Sequence, residues 1–396
     1  MILSERRRPV FTAELLMRVG LIWLIVSAIF VISNLRAISG MTLPGAESAV
    51  LAVQPDYLPG GALAERIATV IVPLLTMGAA MLLAGRIAWR LFDSELIFYT
   101  ALTLALAIPF TAQFQPLRFD HHGLQIVGVL AALNGLTARS ARYGGWAAGA
   151  ALGLVLGASL ELLPIAILFG LILTLRWLAQ PSERGWLVHF LWAVTLTSLI
   201  AFPLSHGTGD LSDRSGMASG AFIAGSGIAA LGASLLCLVP RIPRLPLLLA
   251  LGLVGVAALG ASMALVQQGG AEPFAEARSP IWSYRPDMIA QMTVPPLIGL
   301  IAALRLHLQS CAWLQRFWLE YSLLLCGALL MSIFDARASG LACALAAVPL
   351  AWQLRRWLRL AQKMRGPVAR VPAFSAMALA VMPGLPLMAI ASLSAS

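Results

Sequence analysis

The chain has 396 residues, 60% of them hydrophobic and only 11% charged. A soluble globular domain carries roughly 25% charged residues, so this composition excludes a soluble fold and predicts repeated bilayer spans. The formal net charge of +10 does not point to nucleic acid, because the arginines stand in small groups at the ends of apolar runs. There they act as topology determinants.

The first apolar run, Leu15 to Leu35, follows Arg6-Arg7-Arg8. It is long enough to span and no A-x-A-type cleavage site follows it closely, so it reads as a first transmembrane helix. Further spans are expected at 66–85, 94–113, 123–138, 144–160, 162–178, 186–204, 219–239, 245–266, 288–305, 317–334, 338–354 and 371–392. The fold class is therefore all-α and polytopic, with about 13 transmembrane helices (11–14). The close pair 144–160 and 162–178 admits a re-entrant arrangement. Pro73, Pro109, Pro164, Pro203, Pro295 and Pro296 fall in or at the ends of spans, where neighbouring helices must satisfy the freed carbonyls.

With the N-terminus in the cytoplasm, most of the 27 basic residues fall inside, as the positive-inside rule demands. The longer outer loops are then about 37–65, 114–122, 205–218 and 267–287. The whole of 1–396 is expected to form one transmembrane domain without a soluble one. Cys237, Cys311, Cys326 and Cys343 lack C-x-x-C spacing, which supports neither a disulfide framework nor a zinc knuckle.

The most informative segment is Gln113-Phe-Gln-Pro-Leu-Arg-Phe-Asp-His-His-Gly-Leu-Gln125. Arg118, Asp120, His121 and His122 crowd into five residues between two spans. Adjacent Asp and His offer oxygen and imidazole ligands for a divalent cation, and Arg118 suits a phosphate. The plainer reading is an interfacial loop with Asp120 as the N-cap of the next helix. Glu161, in Ser159-Leu-Glu-Leu-Leu-Pro164, is an ionisable residue near membrane depth. Such residues default to function, and this one can complete a metal site with Asp120 or bind an acceptor. The 267–287 loop carries Arg285 among mixed charges with Trp282 and Tyr284, a set suited either to a pyrophosphate and sugar or to a surface loop with aromatic-belt residues. Arg337, beside Asp335, is either a phosphate ligand or half of a local ion pair. His189 reads as a hydrogen-bonded packing residue. The basic, amphipathic run Arg355–Arg365 is expected to rest on anionic headgroups.

The run Arg118-Phe-Asp-His-His-Gly-Leu-Gln-Ile126 resembles the second-loop acidic motif of the GT-C membrane glycosyltransferases. It is especially similar to archaeal-type oligosaccharyltransferase catalytic subunits and their alphaproteobacterial relatives. The resemblance implies a GT-C-like transmembrane core in a bacterial inner membrane, with an active site on the periplasmic face. It also implies a polyprenyl-phosphate-linked sugar donor and a divalent metal, Mg or Mn. By resemblance Asp120 and His121 are metal ligands and Arg118 lies near the donor phosphate. Glu47 in the first outer loop is the catalytic carboxylate, and Asp120 shares the catalytic role. His122, Glu161, Arg285 and Arg337 are further substrate contacts. The sequence departs from the family pattern at Glu47-Ser48, where one carboxylate stands in place of two.

Three functions follow as expectations. The first is transfer of a sugar to a lipid, glycan or protein acceptor. The second is transport or flipping of a lipid-linked substrate, although no internal repeat supports it. The third is a catalytically degenerate relative that keeps the fold.

Overall fold

The computed structural model describes residues 12–34, 61–116, 121–206, 214–239, 242–269, 279–364 and 366–384. Among them there is no strand, and the architecture is that of a helical, multi-pass membrane protein. In chain order the helices are α1 (Ala13–Ser33), α2 (Gly61–Leu91), α3 (Glu95–Leu106), α4 (Ile108–Thr111), α5 (His122–Leu136), α6 (Ala141–Ala158) and α7 (Leu163–Ala179). They continue with α8 (Arg184–His206), α9 (Arg214–Leu238), α10 (Arg244–Gly269), α11 (Pro286–Gln309), α12 (Ala312–Phe334), α13 (Ser339–Lys363) and α14 (Pro367–Val381).

Eight helical stretches among the described residues are long and apolar enough to cross a membrane, or nine if a bent pair counts as one span. Thirteen were expected from hydropathy, and five stretches account for the difference. The stretch 94–113 breaks at Ala107, where extended backbone and the following Pro109 turn α3 and α4 apart by 74°. Helix α5 is apolar but has only 15 residues. Helix α6 dilutes its hydropathy with glycines, and α13 ends in an arginine-rich turn. The apolar helical run at Arg370–Val381 is short. The bent pair among the described residues, a broken span or a re-entrant element, breaks at 106–108.

The chain forms two compact units, and each is built around its own tightly packed helix. In the unit made of 1–41, 66–118 and 279–396, α13 is central and packs against α3, α4, α11, α12 and α14. Almost every residue from Ser339 to Leu350 is buried. Pro349 lies inside α13 and has no N–H to give the carbonyl of Leu345, four residues back. The buried Tyr321 of α12 donates its hydroxyl to that carbonyl instead. This is how a membrane helix tolerates an internal proline: a neighbour satisfies the exposed acceptor.

In the unit made of 42–65 and 119–278, α6 lies between α5 and α8. Gly145, Gly149, Gly153 and Gly157 recur every fourth residue and so share one face. A Cβ at Gly145 would sit 2.8 Å from the carbonyl oxygen of Trp186, and one at Gly157 would sit 2.6 Å from Cβ of Ala201. The buried Ser198 hydroxyl of α8 reaches the carbonyl of Gly153 at 2.9 Å. Small residues let the two backbones approach closely, which replaces the hydrophobic drive that a bilayer does not provide.

Candidate metal centre

The same close packing builds the site. Helices α5 and α6 form an antiparallel hairpin around the short turn at 137–140. A Cβ at Gly135 would meet the backbone nitrogen of Ala148 at 2.9 Å, and one at Gly128 would meet Val155 Cγ2 at 2.6 Å. Moving outward from the turn in that register, the start of α5 comes opposite the chain just after α6. There a single 3-10 turn, Leu160–Leu162, carries Glu161. Ser159 starts this turn, its hydroxyl accepting from the Glu161 N–H at 3.4 Å.

Glu161 Oε2 lies 2.9 Å from His121 Nε2 and 3.3 Å from His122 Nδ1. Gln125 Nε2 donates to the same oxygen at 2.9 Å. His121 and Gln125 are four residues apart, and His122 and Gln125 three apart, so one turn of α5 places all three side chains together. Because Gln125 points its amide nitrogen at the carboxylate, its Oε1 faces His122 Nδ1 at 3.3 Å. In the tautomer with the proton on Nδ1, His122 donates to that oxygen and Nε2 carries the lone pair. The imidazole rings of His121 and His122 stand 4.5 Å apart. His122 and Gln125 are buried, while His121 and Glu161 remain partly open.

The cluster also sits at the first turn of α5, with His121 as N-cap. The positive end of the helix dipole favours negative charge there. His121, His122 and Glu161 each offer one ligand atom, and these atoms lie within 4.8 Å of one another. Two imidazoles and a carboxylate at this spacing can hold a divalent cation.

No family model matches this chain. No curated protein matches it.

Of the expected site residues, the structure brings together His121, His122 and Glu161. Glu47, Arg118 and Asp120 lie outside the described residues. His121 precedes α5 and its side chain makes no capping hydrogen bond, and the N-cap reading of Asp120 falls on a residue outside the described ones. Arg285 and Arg337 belong to the other compact unit. Their segments meet there: Ala336 N–H donates to Ser279 O at 2.8 Å, and Ile281 packs with Ala336 and Met292. Arg285 Nε contacts the carboxylate of Asp287 at 3.1 Å. The backbone N–H of Arg337 is held by Asp335 at 3.0 Å, and its carbonyl accepts from Gln113 Nε2 at 3.3 Å. His189 packs as expected, its Nδ1 against the Gly185 carbonyl one turn back.

Gln125 is the participant that sequence reading missed. Its signal was its spacing from His121 and His122 on a helix, which placed an amide on the face that carries both imidazoles.

Proposed function

We propose that this chain is a GT-C-type membrane glycosyltransferase that moves a sugar from a polyprenyl-phosphate-linked donor to an acceptor at the periplasmic face. One observation carries the reading. Glu161 reaches His121 and His122 from 40 and 39 residues away in the chain, at the very motif that resembles the family.

In this reading His121, His122 and Glu161 hold a divalent cation, with Asp120 as the adjoining oxygen ligand. Two nitrogen donors favour Mn over Mg, since magnesium prefers oxygen ligands throughout. The bound cation would neutralise charge that develops on the departing polyprenyl phosphate. The protein's own contribution is positioning. Gln125 holds the carboxylate of Glu161 and the ring of His122 in fixed relation, so the ligand set is arranged before the cation arrives. Glu47 serves as the carboxylate that draws the proton from the acceptor nucleophile. The N-terminus faces the cytoplasm, in keeping with the distribution of arginine.

The test uses membranes that contain the full chain, a fluorescent polyprenyl-phosphate sugar and added Mn2+. Sugar leaves the lipid fraction with the wild type. Glu161→Gln and His121→Ala each lower that rate at least a hundredfold at unchanged folded yield. Undiminished transfer by both variants, or in excess chelator, refutes the assignment.

A second reading rests on a different aspect of the same cluster. His121, His122 and Gln125 all address one oxygen of Glu161. A closed imidazole–carboxylate array of this kind suits proton exchange in a transporter of a lipid-linked anion. Proton uptake on addition of donor lipid, without loss of its sugar, distinguishes it from transfer.

A further inference from the structure

The C-terminal half of α13 has two faces. Leu354 and Ala361 are buried against Met377 and Val381 of α14, with Trp357 and Leu358 packed beside them. Arg356, Arg359 and Lys363 lie on the other side and are exposed. The chain then breaks at Gly366, whose φ of +92° is a left-handed conformation that suits glycine. Arg370, at the start of α14, is exposed and donates from Nε to the carbonyl of Met364 at 3.0 Å. That bond holds its guanidinium beside the end of α13.

The basic residues here divide into two sets. Arg355 binds both carboxylate oxygens of Asp93, at 2.7 and 2.6 Å, and lies 3.5 Å from Glu95. Arg359 binds Glu95 at 2.8 Å. These two are engaged with Asp93 before α3 and Glu95 at its first residue. Arg356, Lys363 and Arg370 make no ion pair among the described residues. Arg356 lies over the Trp352 ring at 5.8 Å, and indole is a side chain that prefers the boundary between bilayer and water.

We propose that Arg356, Lys363 and Arg370 form a docking strip for anionic phospholipid headgroups of the adjacent leaflet. They place three positive charges along the last turns of α13 and the junction to α14, which complement the phosphates of anionic headgroups. The neighbouring Trp352 fixes the depth of the strip. Arg355 and Arg359 belong to the protein's internal latch and contribute little to the lipid contact. The strip depends only on the chain lying in a bilayer and not on the sugar-transfer reading.

The test measures the thermal unfolding midpoint of the purified full chain in neutral detergent during titration with phosphatidylglycerol. The wild type gains stability saturably, whereas phosphatidylcholine and inorganic phosphate at equal concentration do not produce the shift. Each basic residue at a membrane surface is worth roughly fivefold in affinity. The variant Arg356→Gln/Lys363→Gln/Arg370→Gln therefore raises the apparent Kd at least tenfold. Arg356→Lys/Arg370→Lys keeps the charge and stays near wild type. The proposal is overturned if phosphatidylglycerol gives no shift, if the glutamine variant titrates like the wild type, or if the lysine variant fails like the glutamine one. It is also overturned if phosphatidylcholine or inorganic phosphate reproduces the effect.

Discussion

Glu161 Oε2 and His121 Nε2 stand 2.9 Å apart, although one sits at the N-cap of α5 and the other in the turn after α6. The contact exists because the glycine-lined hairpin between them fixes a single register. A slip of α5 against α6 would carry the carboxylate out of reach of both imidazoles.

Cation binding follows directly from that geometry. We expect purified protein to bind Mn2+ with loss of the free-ion electron paramagnetic resonance signal. Glu161→Gln removes a charged ligand and should abolish the effect. Gln125→Leu leaves all three ligand atoms in place but removes the amide that orients them, so the affinity should drop about 10- to 100-fold. Equal binding by Gln125→Leu and wild type would show that Gln125 only fills space.

Helix α6 gives a packing test. A Cβ on Gly145 meets a backbone carbonyl of α8 that no rotamer change can move. Gly145→Ala should cost about 1–3 kcal/mol through overpacking. Gly252→Ala, where nothing lies within 4 Å, should be neutral or gain up to about 1 kcal/mol from helix propensity. Unfolding in detergent compares the two. A Gly145→Ala protein as stable as wild type contradicts the close approach.

The proline in α13 supports a paired substitution. Tyr321→Phe leaves the buried Leu345 carbonyl without its donor and should cost about 1–3 kcal/mol. Restoring an N–H at position 349 with Pro349→Ala should recover much of that loss in the double variant. Additive effects of the two changes would show that they do not share the carbonyl.

Acid stability depends on Asp93, which lies between α2 and α3. Burial pushes its carboxyl up, but the hydrogen bonds and charge of Arg355 outweigh this and hold it below the ordinary carboxylate range. A carboxylate depressed in the folded state contributes its stability above the unfolded value and loses it as pH falls through the folded one. The latch should therefore weaken on acidification below the usual carboxylate range. Asp93→Asn should flatten that limb of a stability-against-pH curve. An unchanged limb would mean that other groups govern it.

The sequence by itself determined the solvent of this protein. A chain with 11% charge and recurring apolar runs has to bury itself in lipid, and that requires helices because each must satisfy its own backbone. It also marked His121, His122 and Glu161, since clustered ionisable groups are costly among apolar residues. Hydropathy could not show which apolar runs face lipid and which face protein. The run in α13 reads like a span, yet it is the packed centre of one unit. Nor could it show the 74° break at Ala107, because a short apolar run looks the same whether straight or bent. Tertiary structure alone decided that Glu161 meets the two histidines. That contact comes from the register between α5 and α6, and register is set by which glycines touch, a property of two helices together rather than of either one.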